Sequence, residues 1–307
     1  MTAEGLSSAP FIAPVEASVS YDGRHAFTVD VEEWFQVGAF ETTLKREDWP
    51  ALESRVERQT YAILALLEET GVKATFFCLG WVAERKPLLI HALHEAGHEV
   101  ACHGRDHRRL FTMDRKTFER DLTVAKAQLE DAIGAPVRGY RAPSFSLTPD
   151  IWWVYDALAA AGFIYSSSLY PLKTDHYGMP AAPRQPFWPV ADRSVLEVPM
   201  TVCHVFGRSL PASGGGYFRL LPYALGRWLL AKGSKQAGSP AVFYMHPWEM
   251  DPDQPFVADA PWLSRFRHYT GQRALEGKLR RLHKDFRWGR MDETIVAPVL
   301  KAEGRVL

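Results

Sequence analysis

The stretch ATFFCLGWVAERKPLLIHALHEAGHEVACHGRDH, residues 74–107, decides how the rest of the chain is organised. Its first part, ATFFCLG (residues 74–80), has the length and apolar character of a strand buried on both faces. Residues 84–95 read as a helix that Gly97 stops, and residues 98–102 as a second strand. Strand, helix and strand in that order form a βαβ unit of a parallel sheet. Directly after the second strand stand His103 and His107. Their spacing is about one helical turn, so both rings leave one face of a turn or helix start and can share a divalent cation. An HxxxH pattern also occurs in ordinary solvated turns, and it gains weight only from what other strand ends carry.

The same rhythm runs outward in both directions. Residues 25–31 (HAFTVDV) are a β-prone run broken by Glu32, Glu33, Trp34 and Phe35, which puts Asp30 at a strand's C-terminal end. Helices are expected over residues 53–70, with Val56, Ile63, Leu64 and Leu67 inward, and over residues 114–133, with Phe118, Leu122, Ala125 and Leu129 inward. A strand over residues 137–141 ends at Arg141. A helix over residues 149–161, short β-like pieces at 163–165 and 195–200, a helix over 222–231 and a strand over 241–245 follow, the last ending at His246. Gly214, Gly215 and Gly216 read as a turn and not a phosphate cradle, because no P-loop lysine follows them. About seven strands in βα alternation predict an α/β fold whose parallel sheet is open or closed into a barrel. In both architectures the active site lies at the C-terminal strand ends, where Asp30, His103, Arg141 and His246 fall.

With 307 residues, 47% hydrophobic and 23% charged, the chain can bury an ample core, and disorder as a whole is excluded. Lys+Arg and Asp+Glu both count 36, so no global charge steers it to nucleic acid or a membrane. Cys78, Cys102 and Cys203, an odd number among apolar neighbours, fit buried thiols in a reducing compartment. The start lacks a signal-peptide pattern and no long apolar run spans a bilayer, so a cytoplasmic protein without a transmembrane segment is expected. Residues 1–20 read as a flexible tail, 21–250 as the barrel and 251–307 as a C-terminal extension packed on it. Within the extension, residues 262–290 place Leu275, Leu279 and Leu282 on one face of a basic helix. The Arg and Lys elsewhere on this helix are either simply solvated, with the helix docked on the barrel, or touch anionic glycan or lipid headgroups.

Two histidines, one carboxylate and an open position for water are the pattern of hydrolytic zinc sites. A second carboxylate outside the metal shell can take the water's proton. In an extended segment Asp30 and Glu32 share a face while Val31 points into the core, so either acid can serve either role. His246 is placed to protonate a leaving nitrogen, and Arg141 to orient a carboxylate. The reaction class is hydrolysis of an amide or ester.

Over about residues 25–250 the ordered motifs FTVDVEE, ATFFCLG with AGHEVACHGRDH, RGYRAPSFS and FYMHPW resemble the polysaccharide deacetylase family, with its NodB homology domain (carbohydrate esterase family 4). FRHYTG and LRRLHKDF are similar to the extension found in deacetylases of bacterial exopolysaccharide clusters. The resemblance implies a distorted (β/α) barrel of about seven βα units with a C-terminal helical extension. It also implies a divalent metal ion, usually zinc, and removal of N-acetyl groups from a chitooligosaccharide or exopolysaccharide-type glycan. By it Asp30 is the base, His103 and His107 are metal ligands, Arg141 holds the base and His246 is the acid, while the acidic ligand, an aspartate next to the base in the family, falls here to Glu32. Ser144, with Pro143 beside it, is implied at the oxyanion and substrate. Trp34, Phe35, Phe145, Trp188 and Trp248 are aromatic candidates for stacking on sugar rings. The implied partners are the N-acetylated glycan and membrane-associated polysaccharide machinery.

Three positions depart from the family pattern. Val31 follows Asp30 where the family has a second aspartate, Gly104 replaces the usual Ser or Thr after the first histidine, and Ser166 stands where an aspartate often pairs with the motif arginine. Two other readings compete: a ring-opening amidase of allantoinase-like or imidase-like type on the same fold, and a catalytically silent glycan-binding module.

Overall fold

The computed structural model describes residues 12–16, 18–173 and 178–307, and the strands and helices below are those of the described residues. In chain order the strands are β1 (Ala13–Pro14), β2 (His25–Val31), β3 (Thr75–Cys78), β4 (Glu99–Cys102), β5 (Gly139–Tyr140) and β6 (Tyr165–Ser166). They continue with β7 (Phe187–Trp188), β8 (Leu196–Glu197), β9 (Val202–Val205), β10 (Arg208–Pro211), β11 (Val242–Met245) and β12 (Trp288–Gly289). One mostly parallel sheet runs β1-β7-β8-β6-β5-β4-β3-β2-β11, with β12 also paired to β2; β9 and β10 form a separate hairpin. The expected parallel core is present, and antiparallel pairs join β1 to β7 and β7 to β8 at one edge.

Among the described residues no strand pairing closes β11 onto the β1 end, and the gap is bridged by other means. Val242 N–H donates to Thr201 Oγ1 at 2.8 Å, and Tyr244 N–H to the Ser213 carbonyl at 2.8 Å beside a Gly214–Tyr244 bridge.

Alternation along β2 sorts the chain into two cores. Phe27, Val29 and Val31 pack with Phe76, Cys78, Val100 and Cys102 under the helices Val56–Thr70, Pro87–Glu95 and Arg115–Ile133. Ala26 packs on the other face with Phe77, Ala101, Tyr165, Leu196 and Val242. Met291, Ile295, Val296 and Val299 near the C-terminus fill that second core. Their segment is tied to the starts of β3 and β4, where Met291 N–H donates to Thr75 Oγ1 at 2.8 Å and Asp292 N–H to Glu99 Oε2 at 3.3 Å. The strand ends carrying chemistry face the opposite way.

The observed elements differ from expectation at identifiable residues. The helix expected over 84–95 is two helices, Gly80–Arg85 and Pro87–Glu95, because Pro87 disfavours helical geometry at Lys86, whose φ/ψ is −135/53. Residues 262–290 also break into two helices, Trp262–Tyr269 and Gln272–Asp285. Gly271 between them has φ +82 and sits so close to Arg219 that a Cβ would lie 2.9 Å from its carbonyl oxygen. Leu275, Leu279 and Leu282 are fully buried as expected, but the extension also enters the sheet through β12. Of the expected tail, residues 1–11 and 17 lie outside the described residues, while Ala13–Pro14 is paired to Phe187–Trp188. No described helix is long and apolar enough to cross a membrane.

Candidate metal centre

Three acids at and just beyond the end of β2, Asp30, Glu32 and Glu33, go to three different tasks. Asp30 is 2% exposed, and its Oδ1 accepts from Arg141 Nη1 at 2.5 Å. Glu32, two residues on, reaches the same cleft with Val31 buried in the outer core, as the alternation requires. Glu33 turns away and caps a helix, its Oε2 accepting from Arg55 N–H at 2.9 Å and Val56 N–H at 3.2 Å.

Of the turn or helix start that their spacing suggested, His103 and His107 take the first, leaving β4 on a bent loop with no helix. Gly104 has φ 77 and His107 φ 59, and these two left-handed residues bend the loop so that the ring centroids lie 5.4 Å apart. Gly104 adopts this backbone without the strain that the hydroxyl residue of the family pattern would carry at the same φ. Arg46 anchors the loop by donating to the Asp106 and His107 carbonyls. His103 Nδ1–H donates to the Arg141 carbonyl at 2.9 Å, leaving Nε2 as its free donor atom. Burial pushes the ring's pKa down to about 4, so it stays neutral, as a ligand must.

Ligand atoms of Glu32, His103 and His107 all lie within 4.8 Å of one another, and all three residues are buried. Glu32 Oε2 is the decisive atom. It is buried without a hydrogen-bond partner, although His107 Nε2 stands 2.8 Å away. A short buried contact between two atoms that can both act as ligands fits a cation bound to both of them. Burial opposes ionisation of Glu32, but His107 and His246 outweigh it and hold the carboxyl well below the usual carboxylate range.

Arg141, fully buried after β5, spreads over several partners. Nη1 also donates to Thr28 Oγ1 at 2.8 Å, Nε to the Ser167 carbonyl and Nη2 to Ser167 Oγ, each at 3.2 Å, and the guanidinium lies 3.9 Å from the Phe77 ring centroid. Ser167 therefore does the work expected near Ser166, whose hydroxyl bonds Ser168 instead. Such a network fixes Asp30 with Oδ2 turned towards His246 Nε2, 4.0 Å away.

His246, directly after β11, has Nδ1 2.9 Å from Glu249 Oε1 and Nε2 3.7 Å from Glu32 Oε1. Burial acts against its charge, but Glu32, Glu249 and Asp30 prevail and raise its pKa to about 9. Glu249 is in turn held by buried Arg219, Nε to Oε2 at 2.8 Å. Sequence reading missed both residues, although Glu249 stands one 3₁₀ turn beyond His246 in HPWE.

These groups open into a cleft of about 380 Å³ lined also by Ser144, Phe145, Tyr217, Tyr244, Trp248 and His268. Trp248 stacks between His246 and His268 with centroid separations of 4.9 and 4.3 Å. Of the aromatic candidates, Phe145 and Trp248 line the cleft. Trp34 and Phe35 are buried in a side core, where Trp34 Nε1–H bonds the Glu53 carbonyl, and Trp188 is buried against Glu303. Pro143 is buried beside Ser144 without lining the cleft. The extension, not expected at the site, supplies Ser264, Arg267 and His268 to its wall.

Residues 45–162 match the polysaccharide deacetylase family, and residues 167–296 a domain of unknown function, DUF3473. A chitooligosaccharide deacetylase of Sinorhizobium fredii is 39% identical over 85 residues, 27% of this chain and 40% of that protein. A peptidoglycan deacetylase-like protein of Gibberella zeae is 29% identical over 109 residues, 35% of this chain and 31% of that protein. The matched regions thus span less than half the length of these curated relatives. A crystal structure of a candidate polysaccharide deacetylase from Mycobacterium smegmatis superposes with a TM-score of 0.61 and 22% identity, covering 97% of each chain; it bears on the fold alone.

Proposed function

We propose that the chain is a member of the polysaccharide deacetylase family, whose model its residues 45–162 match, and that it is a metal-dependent hydrolase removing N-acetyl groups from an acetamido-sugar glycan of chitooligosaccharide or exopolysaccharide type. One observation carries the reading: Glu32, His103 and His107 converge in the same cleft as a carboxylate and a histidine that remain outside the trio. A divalent cation held by these three residues, zinc by their donor set, would supply Lewis acidity to a water and to the amide carbonyl.

The chain's own groups do the proton handling. Asp30, anchored through Oδ1 by Arg141, presents Oδ2 as the acceptor of the water's proton. His246, its ring fixed through Nδ1 by Glu249, is the group placed to give a proton to the leaving nitrogen. Phe145, Tyr244 and Trp248 give the cleft aromatic walls suited to a sugar ring. The bridging of the sheet's ends through Thr201 and Gly214 supports the distorted (β/α) barrel as the architecture.

The test is metal analysis of the purified protein, with acetate release from N-acetylated oligosaccharides measured before and after chelation. Stoichiometric metal and chelator-sensitive release are expected. Glycan binding with neither metal nor turnover would make the cleft a binding module, and turnover of small cyclic amides alone would make it an imidase-like amidase.

A further inference from the structure

The helix Trp262–Tyr269 displays Trp262, Phe266 and Leu263 to solvent at 71%, 52% and 39% of their surface. Phe256 is 64% exposed beside it, its ring 5.1 Å from Tyr269 and 5.6 Å beneath the Arg265 guanidinium. The fold's own core does not account for this face, since His268 is the buried residue of that helix. Large apolar side chains grouped in this way mark an interaction surface, unlike the single exposed ones scattered over any protein. The same helix is a wall of the cleft, through Ser264 and Arg267. Tyr217 and Leu220, 38% and 36% exposed on the helix Gly215–Leu220, line the cleft as well. The apolar surface therefore borders the cleft mouth.

Charge identifies the occupant. WLSRFRHYTGQR, residues 262–273, carries Arg265, Arg267 and Arg273 and no acid, and against the exposed Asp253 and Asp259 beside Phe256, of which Asp253 lies 3.7 Å from Arg273, the face keeps an excess of arginine. Tryptophan, phenylalanine and leucine alternating with arginine is the composition of a helix seated at the depth of lipid headgroups, rings at the acyl boundary and guanidiniums at the phosphates. We propose that this face docks reversibly on an anionic lipid surface and brings the mouth of the cleft to the membrane. One short helix and a few rings give weak, salt-sensitive attachment, not permanent anchoring. The docking stands whether or not the cleft hydrolyses an acetamide.

Cosedimentation of the full chain with vesicles of mixed phosphatidylglycerol and phosphatidylcholine, against phosphatidylcholine alone, tests it. Binding to the anionic vesicles is expected at low salt and should weaken several-fold by about 0.5 M salt, where screening is short-ranged. The double variant Trp262→Ser/Phe266→Ser should partition about tenfold less or lower still. Its melting temperature should be unchanged, since both side chains are exposed. Arg273→Glu, which leaves the apolar face intact and sits on an 82% exposed side chain, should weaken binding to anionic vesicles alone. Absence of binding by the unaltered chain, or undiminished binding by the variants, overturns the proposal. So does a concentration-dependent dimer that the double variant dissolves, because the face would then pair two copies of the chain.

Discussion

Trp248 donates its indole N–H to Glu32 Oε1 at 3.1 Å, joining residues 216 apart in sequence, and leaves Oε2 as the oxygen that faces His107. A residue expected only to stack on sugar thereby orients the carboxylate of the candidate metal trio. The His246 and His268 rings on either side of it keep the indole in place.

Replacing Trp248 with Phe keeps the stacked ring and removes the donor. A lost hydrogen bond of this outer kind typically lowers metal affinity about 10- to 100-fold. Calorimetric zinc titration of the apo-protein should read that drop, and unchanged affinity would show that Glu32 holds its rotamer without help.

Asp30 and Glu32 should separate cleanly. Glu32→Gln, like His103→Ala and His107→Ala, is expected to lose metal, because all three belong to the trio. Asp30→Asn should retain metal yet lose about 100- to 10,000-fold in turnover, the range of a missing general base. It also leaves Arg141 buried with a weakened partner, so thermal stability should fall. Metal content, acetate release and melting temperature measured side by side decide the matter; loss of metal in Asp30→Asn would make Asp30 a ligand.

His246→Ala should keep metal and substrate affinity while turnover drops by about 100-fold or more. The histidine lies outside the trio but faces both acids of the cleft, Nε2 being 3.7 Å from Glu32 Oε1 and 4.0 Å from Asp30 Oδ2. A decline of less than about fivefold, well under the usual range, would reduce it to a structural role.

At the other end of the sheet, burial first and Asp292 second raise the pKa of Glu99 to about 8 from an ordinary 4.5. Folded Glu99 therefore keeps its proton over a range in which the unfolded chain has lost it. This contribution to stability is fully present below about pH 4.5 and is lost as pH rises through about 8. The melting temperature should decline across that window, and Glu99→Gln should flatten the decline. Equal pH slopes in the two proteins would show that Glu99 is ionised in the fold.

What the sequence determined by itself was local. Apolar runs and helical periodicity located the long elements because each depends on residues within a few turns, and alternation in VDVE was enough to send Val31 to the core and both neighbouring acids to one cleft. Strand ends likewise indicated where Asp30, His103, Arg141 and His246 would meet. The tertiary structure alone decided which aromatics face the cleft: Trp34, Trp188 and Trp248 are alike as residues, and only distant partners bury the first two and expose the third to the site. It also decided that two-residue strands would pair and that Glu249, Arg219 and His268 would stand behind the catalytic groups. Such contacts join segments far apart in the chain. No pattern within a short window encodes them, because their stability comes from burial and hydrogen bonding that exist only once the chain has folded.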